Sequence, residues 1–275
     1  YDGPMRERRK AKVPLLQRIK SEYKIFVERR RVQELIIVKS SGCHKRIPHP
    51  TEEIYNVHES TVYGIFNLHV SESFEFFRRA FPALNELSPQ ESEAIFKEFI
   101  GKLSIIESYY NTRRIWGGVY RYIMGSVVTS KDMERPMGGI DMNKFGDAAL
   151  LESCARMHAY DLHEVLLPIF NRAKFDEIEL YALLTIVMSE LDISCGITEE
   201  GLVILDKYRQ EALEGLQEYY QKELGLANYS TRIGNLMSVN HVVQECKSMF
   251  TVVLRFYDTL FDVYVANDTL KKLFL

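Results

Sequence analysis

The chain has 275 residues, 46% of them hydrophobic, and a formal net charge of −3. That length and apolar content suit one large domain with a substantial core. The near-balanced charge excludes a global affinity for nucleic acid or membrane, and no apolar run reaches the length of a membrane span, the stretch Ala182–Met188 being seven residues.

The chain opens at Tyr1 with no secretory signal pattern, so it reads as a piece of a longer protein. Residues 1–13 form a basic tail, with Met5–Lys12 (MRERRKAK) carrying five cations in eight positions. A helix is predicted from about Pro14 to Ile37, where Leu16, Ile19, Tyr23 and Phe26 recur at three- and four-residue steps. Ser40–Glu59 reads as loop. A second helical pattern runs through Ile65 and Leu68 into a phenylalanine-rich segment, with Phe74, Phe77, Phe81 and Leu84 on one face.

Ser88-Pro89-Gln90-Glu91 then carries three helix-start signals: a capping serine, proline at the first helical position, and a glutamate that closes a capping box. The helix it opens runs to about Tyr110. Two apolar helices thus meet at a short corner bracketed by Arg79 and Lys97, a groove suited to a partner helix carrying leucines. Asn111–Asp147 is the least regular stretch, with a short hairpin predicted near Tyr120–Val128. Helices follow over Ala148–Phe170 and Phe175–Leu191. Thr198 opens another that runs to Leu224 and stops at Gly225. One from Ser230 or Thr231 runs to about Phe261, and a last short one covers Thr269–Leu275. The reading is all-α, one domain, with at most one small hairpin.

Catalytic motifs are missing: there is no HExxH, GxSxG, P-loop or GxGxxG. Cys43, His44, His49 and His58 fit no standard zinc spacing, and the widely spaced Cys43, Cys154, Cys195 and Cys246 read as free thiols in a reducing compartment. The sequons at Asn228 and Asn267 are then chance matches. No enzymatic activity, metal or cofactor is expected.

Residues 77–97 resemble the most diagnostic stretch of nuclear hormone receptor ligand-binding domains. That family's pattern is Phe-Ala-Lys-x-Ile-Pro-x-Phe-x-x-Leu-x-x-x-Asp-Gln-x-x-Leu-Leu-Lys. Phe77, Arg79, Phe81, Pro82, Leu84, Leu87, Glu91, Ile95, Phe96 and Lys97 fall in register with it, without a gap. The variants Phe-Pro-x-Leu and Glu-Ser resemble divergent nematode receptors related to the hepatocyte-nuclear-factor group.

The resemblance implies a three-layer antiparallel helical sandwich over residues 14–275, with residues 1–13 in the hinge position. There the tail would assist nuclear import or touch DNA phosphates. The family's zinc-dependent DNA-binding module, with its eight cysteines, is not in this sequence. Arg79 and Lys97 match the basic residues flanking a coregulator groove. Leu270, Lys272, Leu273 and Phe274 match the activation helix, except that Lys272 stands where the family has glutamate. A lysine there faces the positive end of a partner helix's dipole. A lipophilic ligand would meet Phe66, Val70, Phe77, Ile105, Tyr109, Trp116, Met157 and Met249. Asn111 holds the position at which several relatives carry a ligand-binding arginine. Met237, Val243 and Phe250 would lie on a seam for a homodimer or a heterodimer with another receptor. The implied function is a nuclear, ligand-responsive regulator of transcription. The alternative is a ligand-independent dimerisation or interaction module of the same fold with a filled pocket.

Overall fold

The computed structural model describes residues 14–42, 55–56, 59–116, 128–129, 149–150, 153, 166–191 and 193–261. In chain order these form α1 (Leu15–Ser40), a two-residue strand β1 (Tyr55–Asn56), α2 (Glu59–Ala80), a 3-10 turn (Pro82–Glu86), α3 (Pro89–Trp116) and β2 (Val128–Thr129). Helical residues 166–173 (α4) follow, then α5 (Glu177–Ser189), a 3-10 turn at Ile193–Cys195, α6 (Glu199–Glu218) and α7 (Ser230–Phe261). A π-helical turn, Tyr219–Glu223, extends α6.

Helix α5 fixes the layering. All eleven residues from Glu179 to Ser189 are buried, and a helix that is apolar all round must be covered on every side. It packs against α3, α6, α1 and α7. Helices α1 and α2 lie side by side on one face, antiparallel: Arg18 meets Ala80, Arg29 meets Glu72, and Ile37 approaches Gly64. Helices α3, α5 and α6 form the middle, and α7 crosses α3 and α5 on the far side. This is the all-α helical sandwich.

Local signals account for most helix ends. Thr198 caps α6 by accepting from the Gly201 amide at 3.2 Å. Gly225 follows the π-helical turn with φ +63°, a left-handed conformation that glycine adopts without a side-chain clash. Asp176 and Glu179 form a full capping box at the start of α5.

Two expectations need correction, and a third falls on other residues. The short hairpin expected near Tyr120–Val128 lies almost wholly outside the described residues; the described β structure is a parallel pairing of Tyr55–Asn56 with Val128–Thr129. Parallel pairing joins segments far apart in sequence, which local turn chemistry cannot signal. Helix α3 runs to Trp116, past the expected end near Tyr110. Phe74 is also 37% exposed, while Phe76 is 2% exposed and part of the core. Helix α2 ends at Ala80 and the chain tightens into a 3-10 turn, so one continuous helical phase does not run from Phe74 to Leu84.

Cutting back α5 tests the layering. Leu184→Ala, at a fully buried position, is expected to lower unfolding free energy by about 2–5 kcal/mol, while Val203→Ala at a 70% exposed position of α6 leaves the urea midpoint nearly unchanged.

Candidate functional site

The corner between α2 and α3 is built on rings. Phe77 lies 5.6 Å from Phe96 and 5.7 Å from Phe99, and Phe81 lies 5.3 Å from Tyr208 of α6. The Ala83 amide donates to the Tyr208 hydroxyl oxygen at 3.1 Å, which pins the 3-10 turn to α6. Glu91 ties the corner together. Its Oε2 accepts from the Ser88 hydroxyl at 2.8 Å, and the Glu91 amide donates to Ser88 Oγ at 3.2 Å. Its other oxygen accepts from the Thr198 amide (3.0 Å) and hydroxyl (2.6 Å). One carboxylate therefore serves the caps of two helices, reaching Thr198 across 107 residues of sequence. The Thr198 bonds, seconded by Ser88, hold the Glu91 carboxyl down at about 2.

The two cations that bracket the corner are solvated and paired on their own helices. Arg79 meets Glu75 at 3.4 Å, with both side chains 43% exposed, and Lys97 meets Glu93 at 3.0 Å. Such surface pairs contribute about 0–1 kcal/mol, so either cation is free to exchange partners. Arg79 lies along the edge that α2 shares with α1, in a narrow depression with Glu22, Ile25, Arg29, Glu72 and Glu75. On the other edge, Phe74 meets Phe96 at 5.0 Å, the Arg78 guanidinium sits over Phe74 at 5.9 Å, and Arg78 Nε donates to Asn85 Oδ1 at 3.3 Å. The depression carries charge of both signs, and Glu72 and Glu75 precede Arg79 by two turns and one turn of the helix.

A buried polar network between α1, α2 and α3 escapes the sequence reading. Arg30, 1% exposed, gives a bidentate pair to Glu107 at 2.7 and 3.1 Å and stacks over Phe26 at 4.3 Å. The Tyr23 hydroxyl donates to the same carboxylate at 2.6 Å. Burial drives the Glu107 carboxyl up, but the Arg30 charge and hydrogen bonds outweigh it and leave the group below the ordinary carboxylate range. His69 completes the set. Ser104 commits its hydroxyl hydrogen to the Ile100 carbonyl (2.8 Å), so His69 Nε2 must donate to Ser104 Oγ (2.9 Å) and Nδ1 accepts from Arg30 Nη1 (3.0 Å). Burial first, and the Arg30 charge second, hold this imidazole neutral with a pKa of about 4. Polar residues at α1 steps normally read as a solvated face, and nothing local distinguishes these.

A second knot joins α5 to α7. Arg232 clamps Glu179 at 2.6 and 2.8 Å and Asp176 at 3.0 Å, while Tyr219 and Tyr220 donate to the same two carboxylates at 2.7 Å each. The Asp-x-x-Glu spacing at 176–179 marks the α5 capping box, but no local signal marks Arg232 as its partner. Toward the other end of α5, Lys102 is 1% exposed and donates to the Val187 carbonyl at 2.9 Å; burial brings its amine down to about 8.

The expected ligand-facing residues separate. Phe77 and Tyr109 are core, Tyr109 standing 5.1 Å from Phe170. Val70 and Ile105 are partly buried against the same core, and Phe66 and Asn111 are half-buried. Met249 does not line the interior: it is 43% exposed, in helical phase with the exposed Glu245 and Val252. On the expected seam, Val243 is fully buried, because it shares a phase with Val239 and Cys246, and Met237 is partly buried against the core. The side chains of Trp116 and Phe250 lie outside the described residues, as do Met157, Leu270, Lys272, Leu273 and Phe274. Among the described residues there is no metal-holding group of His, Cys, Asp and Glu, and no helix long and apolar enough to cross a membrane.

The neutral His69 makes stability pH-dependent. The unfolded imidazole takes up its proton near 6.5 and the folded one only near 4. Stability is therefore complete above 6.5 and is lost as pH falls through that window, by up to about 1.4 kcal/mol per unit. His69→Gln is expected to flatten urea-unfolding free energy between those two values; an unchanged slope would place the titration elsewhere.

No curated protein matches the chain. A family model does: the ligand-binding domain of nuclear hormone receptor, over residues 48–260. That span covers α2, the corner, α3, the α5 knot and α6, and runs to the last residues of α7. The all-α sandwich, the 77–97 register and this match agree that the chain belongs to the nuclear hormone receptor ligand-binding domain family, whose members are non-enzymatic regulators of transcription.

Proposed function

We propose that residues 14–275 act as a nuclear domain whose C-terminal segment, Thr269–Leu275, selects which coregulator helix binds the α2–α3 corner. Residues 1–13 serve as its hinge-like tail, and DNA contact belongs to a module outside this sequence. The observation that carries the reading is the corner itself. Its rings (Phe77, Phe81, Phe96) are packed and buried, and Arg79 on α2 and Lys97 on α3 stay at the surface, each paired among the described residues with an exposed acid one turn back on its own helix. Cations so loosely held are available to the end carbonyls of an incoming helix. The Phe81-Pro82-x-Leu84 and Glu91-Ser92 variants favour a place among divergent nematode receptors of the hepatocyte-nuclear-factor group.

A ligand shifts such a switch only through its differential affinity for the two arrangements of the C-terminal segment. Lys272 opposes ordinary coactivator binding, since it brings a cation to the positive end of the partner helix. A dimer seam on α7 would draw on Met249 and Val252, which the fold leaves exposed, rather than on Val243. A second reading, the ligand-independent interaction module, is favoured by the close ring packing of Phe77 and Tyr109, two of the residues expected to face a ligand.

Two experiments test these readings. Lys272→Glu is expected to tighten binding of Leu-x-x-Leu-Leu peptides about five- to tenfold in an anisotropy titration, corresponding to a helix-end interaction of about 1 kcal/mol. Unchanged affinity would remove the clamp argument. Native mass spectrometry followed by denaturing lipid extraction is expected to reveal a stoichiometric lipophile. A bare mass from protein expressed in several hosts would favour the filled-core module, and the same spectra report the dimer.

A further inference from the structure

The start of α1 forms one wall of an acidic cleft. Pro14, Leu15, Leu16 and Gln17 line it on one side, and on the other α6 and its π-helical extension contribute Glu211, Glu214, Glu218 and Glu223, with Lys222 the one cation among the lining residues. The cleft is open and holds about 710 Å³. Gly215 makes the approach possible: a Cβ there would stand 2.8 Å from Leu16 Cδ1, so α1 lies directly against α6 at this point. Glu218 pairs with Lys222 at 2.9 Å, whereas Glu214 and Glu223 have no cation partner among the described residues. Carboxylates are thus left uncompensated beside the place where the chain enters the fold.

What precedes Pro14 in the sequence is the strongest basic run of the chain: Arg6, Arg8, Arg9, Lys10 and Lys12, with one acid, Glu7. An extended chain advances about 3.4 Å per residue, so these cations reach from roughly 7 to 27 Å beyond Pro14. Glu211 to Glu223 spans about 18 Å of helix. Tether, reach and charge all match.

We propose that residues 6–12 dock in cis in this cleft, with their arginines and lysines against Glu214, Glu218 and Glu223. A tether this short supplies an effective concentration in the millimolar range, so individually weak exposed pairs become a populated contact. The consequence is regulatory. The basic run is withheld from phosphates and from any carrier that reads it, and salt or a competing polyanion releases it. This does not depend on a ligand or on the coregulator reading.

The test uses the full chain. Carbodiimide, which joins a lysine amine to a neighbouring carboxylate, is applied to a 1:1 mixture of unlabelled and nitrogen-15-labelled protein, and the linked peptides are mapped by mass. Docking in cis gives links from Lys10 or Lys12 to Glu214, Glu218 or Glu223 within one isotope label, and these disappear in about 1 M salt, where the screening length is near 3 Å. In parallel, the triple variant Glu214→Gln, Glu218→Gln, Glu223→Gln is compared with the parent chain for tryptic cleavage after Arg8 and Arg9. Cleavage is expected to accelerate about fivefold, because it follows the population of the undocked segment. Links to acids elsewhere, links of which about half join unlike labels (docking onto a second copy), or equal cleavage rates would each overturn the proposal.

Discussion

Helix α5 offers no face that water can wet, and the other helices are arranged around that fact. Eleven consecutive buried positions, from Glu179 to Ser189, require cover from every direction, and helices on three sides are needed to supply it. Helices α1 and α6, α3, and α7 take those places. The apolar faces of α3 and α7 are in turn defined by where α5 runs, so the position of the α2–α3 corner is inherited from the middle layer. Rings carry much of the contact: Tyr23 reaches Tyr181 of α5 at 5.5 Å, and Phe76, Phe77, Phe81 and Phe99 form a continuous set behind the corner.

Burial on this scale traps polar groups, and they are satisfied in clusters. Arg30, Glu107, His69, Tyr23 and Ser104 answer one another across three helices. Asp176, Glu179, Tyr219, Tyr220 and Arg232 do the same across α5, the turn after α6, and α7. Neither cluster is strong evidence of net stability, since desolvating its charges offsets their attraction. Their effect is on specificity of arrangement. An α1 displaced by one turn would leave Glu107 buried without its guanidinium, at a cost of several kcal/mol, so the network selects one register among apolar alternatives.

The corner is rigid for a related reason. Glu91 binds the N-terminus of α3 to that of α6 through Ser88 and Thr198, and Arg18 Nε donates to the terminal carbonyl of α2 at Ala80, 2.9 Å away. These ties join the start of α3 to the start of α6 and the end of α2 to α1, while Arg79 and Lys97 remain at the surface.

Much of this is legible in the residues. The Ser88–Glu91 box, the Thr198 cap and the Gly225 stop are local devices, and apolar periodicity identifies the helices, because each depends on neighbours within a few positions. The register of residues 77–97 carries the family and, with it, the layered fold. Position in space is another matter. That Arg30 is buried and Arg79 exposed, that Glu91 serves two helices, that Val243 belongs to the core and Met249 to the surface, and that Tyr55 pairs with Val128 all depend on packing between segments far apart in sequence. Helical spacing predicts that a face is apolar but not which neighbour covers it, and a charge has the same local signature whether it ends in water or against a partner. Tertiary packing alone decides that, because burial is a property of what lies opposite.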